Sequence, residues 1–443
     1  MTQKSHAIGK EKRRVILATM VGTTIEWYDF FIYAICAGLV FSTEFFGALG
    51  GDALILSFAT VGISFLFRPL GAVIAGHLGD RLGRRAMLIL TLVLMGGATV
   101  LMGLVPSTAA IGVAAPIILL MLRILQGLSA GGEWGGAALL AVEHAPTTRR
   151  GFFGSFPQIG VPIGLLLANG VLAVVTAVTT AEQFLAWGWR IPFLLSAVLI
   201  GIGTVIRVRV AESPVFEEVR QSREQSGLPI VPLFKHHWKL VLLGALVFAA
   251  NNAAGYMTTG GYVQSYSTEV LGMASSPVLI AVMFAAIAWL CTTLLGGWLS
   301  DRIGRLRTYK IGFMFQLAWM FPFFALINAA NFWLLMLALV LFSVGLGLSY
   351  GPQSALYAEM YPTKVRYSGA AISYALGAVL GGAFAPTIAQ ALQSSTGNVH
   401  TVGMYLAVLT VIGLAATFLI KDHSGRTLGD APEPEHEPVP ERT

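Results

Sequence analysis

The sequence predicts an all-α membrane protein of twelve transmembrane helices in two pseudo-symmetric six-helix bundles. Three observations predict it. Apolar runs long enough to cross a bilayer recur along the chain. Lysine and arginine collect on alternate loops. Two loop motifs of the first half return after the same spans in the second.

The 443 residues are 56% hydrophobic and only 11% charged, with a mean hydropathy of +0.74. Ordinary soluble domains carry about 25% charged residues, so a soluble domain is excluded. The net charge of +6 reads as loop topology rather than nucleic-acid affinity. Cys36 and Cys291 fall in predicted spans and suggest neither a disulfide framework nor a metal site. A nucleotide-binding loop, a metal cluster and a nucleophile motif are all missing from the sequence, so no enzyme and no cofactor is expected.

In chain order, residues 1–14 form a basic tail that runs straight into a span without a small-residue cleavage site. Apolar runs follow at roughly 15–41, 52–77, 86–105, 112–140, 153–178 and 190–210, the first bundle (15–210). The polar segment 211–237 reads as a partly helical linker. Runs at roughly 238–266, 277–299, 308–328, 331–356, 368–392 and 401–420 make the second bundle (238–421). The Pro- and Glu-rich end, 422–443, reads as a disordered tail. With the N-terminus inside, the inner loops hold nearly all the Lys and Arg, and Arg190 alone lies outside, anchoring its span or pairing with Glu182. Both termini are therefore expected in the cytoplasm.

The repeat is explicit. Gly76-His-Leu-Gly-Asp80-Arg81-Leu-Gly83-Arg84 follows the second span, and Gly297-Trp-Leu-Ser-Asp301-Arg302-Ile-Gly304-Arg305 the eighth. Glu143-His-Ala-Pro146-Thr147-Thr-Arg-Arg150 ends the fourth span, and Glu359-Met-Tyr-Pro362-Thr363-Lys-Val-Arg366 the tenth. These paired motifs resemble the major facilitator superfamily over about residues 15–420. More narrowly, Glu26-Trp-Tyr-Asp29-Phe, Arg68-Pro-Leu-Gly71, Arg123-Ile-Leu-Gln126-Gly127 and Gly131-Gly-Glu133-Trp-Gly-Gly136 look like its metabolite:proton symporters. The stretch Thr180 to Arg190 looks most like the shikimate-transporter branch. The resemblance implies uptake of a small organic acid or zwitterion together with protons across a bacterial inner membrane. It implies no cofactor beyond the proton gradient. The expected partners are the solute, protons and lipid, not nucleic acid, and a monomer is expected to suffice.

Glu26 and Asp29 sit three apart inside the first span, on one helix face. A carboxylate in hydrocarbon costs several kcal/mol and needs a partner, water or a bundle interior. Asp29 lies about 21 Å past Val15, and Arg123 about 16 Å from the outer edge of span four, so both fall near the midplane. In the superfamily spans one and four line the cavity, and Asp29 is expected to pair with Arg123, with Gln126 one turn below. Such a pair would couple proton to anion: if Arg123 turns to a substrate, Asp29 loses its partner and takes a proton. The alternative is a static tie between the spans. Glu26 is the rival proton acceptor or a second relay acid.

Arg68 and Glu133 read as a second intramembrane pair, structural or gating, with contact to substrate or proton as the alternative. The second half has no deep charge, so its contacts should be neutral: Asn251, Asn252, Tyr256 and Gln264 on span seven, with Tyr350, Gln353 and Tyr357 on span ten. Helix–helix hydrogen bonding is the alternative for each. Asp80, Arg81, Arg84, Glu143 and Arg150, repeated as Asp301, Arg302, Arg305, Glu359 and Arg366, are expected to latch the inner face. The other reading is that the arginines only set topology. An exporter remains the rival function of another kind, with a ligand-binding sensor more distant.

Overall fold

The computed structural model describes residues 2–47, 50, 53–82, 84–208, 230–259, 261–363, 365–425 and 428. Side chains are described for these except at 2–13, 54–55, 76–77, 79–82, 84–85, 230–231 and 256–259. Every regular element among the described residues is helical. A bilayer offers the backbone no hydrogen bonds, so a spanning segment must satisfy its own, and a helix does so.

Among the described residues twelve helices are long and apolar enough to cross a membrane. In the first half they are α1 (Arg14–Glu44), α2 (Leu56–Ala75), α3 (Ala86–Leu104), α4 (Ala114–Glu143), α5 (Thr147–Val178) and α6 (Arg190–Val208). In the second they are α7 (Trp238–Gly255), α8 (Ser275–Ile303), α9 (Arg305–Asn328), α10 (Phe332–Met360), α11 (Arg366–Thr396) and α12 (His400–Leu419). An even number of spans returns the chain to the face it left, and the arginine-rich turns lie there too; we call it the basic face.

The packing repeats with a shift of six helices. In the first half α1 packs on α5, α2 on α4 and α3 on α6; in the second α7 packs on α11, α8 on α10 and α9 on α12. The seam between halves is made by α5 with α8 and α2 with α11, with α4 against α11 on the basic side. Close crossings rest on glycine. A Cβ on Gly127 of α4 would stand 2.1 Å from the Ser64 carbonyl oxygen of α2, so only a missing side chain permits this approach.

Two sequence expectations change here, and a third lies mostly beyond what is described. The linker 211–237 lies mostly outside the described residues, apart from a short helix, Ile230–His236. Span seven stops earlier than expected: the chain turns at Gly261, whose φ is 116°, and Gln264 sits on a separate short helix, Tyr262–Ser265. The tail is not wholly free. The Ser424 hydroxyl accepts from the Arg305 N–H at 3.2 Å, and the Leu428 carbonyl accepts from Thr363 at 2.9 Å and Arg366 at 2.6 Å. The Arg305 N–H at the start of α9, the Thr363 hydroxyl just past α10 and the Arg366 guanidinium at the start of α11 draw the segment down onto the basic face.

Candidate functional site

Glu26 and Asp29 share a stretch of α1 but look into different grooves. Three residues along a helix leave two side chains about 60° apart, enough to send them to different neighbours. Glu26 faces α2, where its Oε1 lies 3.7 Å from a terminal nitrogen of Arg68, both groups being buried. Asp29 faces α3 and α6. Its Oδ1 accepts from Ser196 of α6 at 2.5 Å, and Thr99 of α3 stands beside it.

The expected Asp29–Arg123 pair is therefore not formed. Arg123 of α4 donates to the Val61 carbonyl at 3.1 Å, to the Thr60 carbonyl at 3.4 Å and to the Gln126 side chain, and lies 3.9 Å from the Tyr33 ring centroid. These carbonyls of α2 and the tyrosine face give the guanidinium neutral partners. The two groups still connect through neutral bonds. Gln126 donates to the Thr99 hydroxyl at 3.0 Å, and Thr99 neighbours Asp29.

The Arg68–Glu133 pair is also replaced. Glu133 is taken by Arg207 of α6, and it accepts from Thr91 of α3 at 2.9 Å. Arg207 also donates to the Leu88 carbonyl. Its guanidinium passes over Gly22 of α1, in the space a Cβ there would fill. Among the described residues Glu133 is thus satisfied on both oxygens, and three helices are clamped together. Sequence reasoning missed Arg207 by counting it among the inner-loop charges. The signal was its place within the last turn of the sixth span.

The Glu26–Arg68 pair is held more loosely. Among the described residues neither Glu26 oxygen has a hydrogen bond, nor have Nε and Nη1 of Arg68. The guanidinium lies among rings instead: Phe65 at 4.4 Å, Trp27 at 5.6 Å and Phe30 at 5.7 Å. Phe30 is also 5.2 Å from Arg123, so one ring stands near both arginines.

Beside this pair, between the halves, is a cavity. The first half supplies Trp27, Phe31 and Val161; the second supplies Phe248, Asn251, Asn252, Gly255, Trp289 and Tyr350. The free space left is small, on the order of one or two waters. Three of its lining residues carry buried N–H groups without a hydrogen-bond partner among the described residues: Trp27 Nε1, Trp289 Nε1 and Asn251 Nδ2. Asn251 Oδ1 already accepts from Ser349 at 2.6 Å, which fixes the amide.

The other neutral candidates part company. Asn252 lines the cavity but donates to the Ala378 carbonyl at 3.2 Å, tying α7 to α11. Tyr350 lines the cavity. Tyr357 donates to the Gly244 carbonyl at 2.5 Å and ties α10 to α7. Gln353 is buried with neither amide atom bonded, yet it does not line the cavity. Gln264 lies beyond the Gly261 turn, away from the lining. The Tyr256 side chain lies outside the described ones.

On the basic face the second-half network forms and crosses the seam. Asp301 accepts from the Gly151 and Phe152 N–H groups, each at 2.8 Å, so a carboxylate caps the positive end of α5. Arg305 joins Asp301 at 2.6 Å to Glu359 at 3.2 Å, and Arg150 of the first half reaches Glu359 at 3.7 Å. Arg302 does not take part: it is exposed and stacks on Trp298 at 3.9 Å, because its place on α8 points it outward. Arg366 serves the Tyr361 and Leu428 carbonyls. Glu143 ends α4, half-buried. The side chains of Asp80, Arg81 and Arg84 lie outside the described ones. On the opposite face Arg190 donates to the Gly103 and Val105 carbonyls, each at 2.8 Å, and so anchors α6 to the end of α3.

The family model of the Major Facilitator Superfamily matches residues 19–386. The chain is 41% identical to the inner membrane metabolite transport protein YhjE of Escherichia coli (strain K12), over 94% of this chain and 96% of that one. It is 39% identical to the shikimate transporter of the same organism, over 93% and 94%. It is 34% identical to the proline/betaine transporter of Salmonella typhimurium, over 95% and 85%. Among solved structures, the proton:xylose symporter XylE bound to 6-bromo-6-deoxy-D-glucose gives a TM-score of 0.78 at 19% identity, over 96% of this chain and 98% of that one. At that identity what is shared is the fold.

Proposed function

Because the chain belongs to the Major Facilitator Superfamily it is a membrane transporter, and we propose that it is a proton-coupled symporter of a small organic acid, working by alternating access. In this reading it lies in a bacterial inner membrane with the basic face and both termini cytoplasmic, and works as a monomer in the direction of uptake.

The observation that carries the reading is the buried Glu26–Arg68 pair beside a cavity of unpartnered N–H donors. At 3.7 Å and an effective dielectric of about 20 their attraction is about 4–5 kcal/mol. No hydrogen bond to Glu26 adds to it. A ligand carboxylate on Arg68 competes for the same charge. Glu26, left without its cation, takes a proton, and the loaded site returns with no added charge. Glu26 rather than Asp29 is the coupling acid in this proposal, since Asp29 looks away from the cavity into α3 and α6. Trp27, Trp289 and Asn251 offer the remaining acceptors of the solute their N–H groups.

A second reading is a zwitterionic osmolyte. Trp27, Phe31, Phe248, Trp289 and Tyr350 give the cavity five aromatic walls, which suit an ammonium group. The relatives include transporters named for shikimate and for proline and betaine. Uptake of labelled shikimate, dicarboxylates and betaine into proteoliposomes, with and without a pH gradient, separates these readings. Uptake indifferent to the gradient removes the symport.

A further inference from the structure

Three rings lie on the basic side of the cavity. Counting from the helix ends at 1.5 Å per residue, Trp134, Tyr374 and Phe248 stand about 12–15 Å from the basic ends of α4, α11 and α7. Asn251, Trp27 and Trp289 stand about 20 Å in on the same scale. Phe248, which walls the cavity, stacks on Tyr374 with centroids 4.1 Å apart and planes at 18°. Tyr374 stacks on Trp134 at 3.9 Å and 4°. Trp134 also meets Tyr357 edge-on at 5.5 Å, and its N–H is held by Gln158 at 2.8 Å.

Phe248 and Tyr374 belong to one half, and Trp134 to the other. The Trp134–Tyr374 contact therefore crosses the seam. Around it the halves touch closely. Tyr367 donates to the Gly132 carbonyl at 2.9 Å, and a Cβ on Gly135 would stand 2.8 Å from that of Ala371. Contacts within a half survive a rigid movement of the two halves, but contacts across the seam on this face do not. The Tyr374 hydroxyl lies beside that of Tyr350 and within electrostatic reach of Glu26 and Arg68. The stack thus adjoins the charge pair as well as the cavity.

We propose that the Phe248–Tyr374–Trp134 stack is the gate between the cavity and the basic face, and that it opens by parting Trp134 from Tyr374. This rests on the alternating-access reading but not on its proton coupling. An aromatic pair contributes beyond its buried area and is lost without a ring. Removing either partner therefore favours the open gate by about tenfold.

The test uses the full chain with Cys36→Ala and Cys291→Ala, and Val161→Cys in the cavity wall as reporter. A membrane-impermeant maleimide is applied from the basic face of oriented vesicles. Tyr374→Ala and Trp134→Leu are expected to speed labelling about tenfold, and Tyr374→Phe, which keeps the ring, to leave it within twofold of the parent. Trp134→Leu keeps apolar bulk, and its melting temperature reports whether it is folded. A folded Trp134→Leu protein labelled at the parental rate overturns the gate, as does Tyr374→Phe labelling as fast as Tyr374→Ala. The assay needs neither substrate nor gradient, so a failed symport experiment and a failed gate are told apart.

Discussion

Arg207→Met should be among the most damaging single substitutions in the first half. It keeps the long stem, removes the guanidinium and leaves Glu133 buried with only Thr91 to answer it. Removing one partner of a buried ion pair costs about 3–5 kcal/mol, because the other charge stays behind. The Leu88 carbonyl also loses one of its donors, which adds at most about 1 kcal/mol, since the Thr91 hydroxyl lies 3.2 Å from it as well. Adding Glu133→Gln removes the stranded charge, and the double variant should recover at least about 2 kcal/mol. Equilibrium unfolding in detergent, read for the parent, both single variants and the double, completes the cycle. A loss below about 1 kcal/mol for Arg207→Met, or a double variant as unstable as the sum of the singles, would refute the clamp.

Gly22→Ala tests the same clamp from α1: its Cβ takes the space of the Arg207 guanidinium, and the loss should reach at least about 2 kcal/mol in the same assay. Arg305→Ala should cut transport at least tenfold by breaking the Asp301–Glu359 network, while Arg302→Ala leaves it within twofold; equal effects would contradict the assignment. Asn251→Ala should raise the KM for the solute about tenfold with little loss of folded protein, whereas Asn252→Ala should lower the melting temperature through its lost tie to Ala378.

What the sequence made legible was depth and sign. Spans, alternating charge and the six-helix repeat follow from hydrocarbon thickness and from where cations stop, and all are carried by composition along the chain. It also brought Glu26 and Asp29 to attention as acids set inside the first span, where both are buried. Partner choice was not legible, because it turns on side-chain direction rather than depth. Arg68 and Arg123 are both within reach of α1 by depth, yet Glu26 takes one, and Asp29 takes neither among the described residues. Arg207 looked like a loop charge because one turn separates a span's end from its interior. Trp134 and Tyr374 are far apart in sequence and carry no charge, so nothing in periodicity marks them as a pair. The second-half network was readable because Asp301, Arg305 and Glu359 occupy positions fixed by motif spacing. Its joining to Arg150 depended on how the halves meet.

The central claim is that Glu26, set against Arg68 beside the cavity, couples solute to proton. Glu26→Gln protein in proteoliposomes tests it most directly, with labelled solute followed in two modes. Counterflow at equal pH should persist within about threefold of the parent, since Arg68 remains to hold a carboxylate. Accumulation driven by a pH gradient should disappear. Full gradient-driven accumulation by Glu26→Gln would contradict the claim outright.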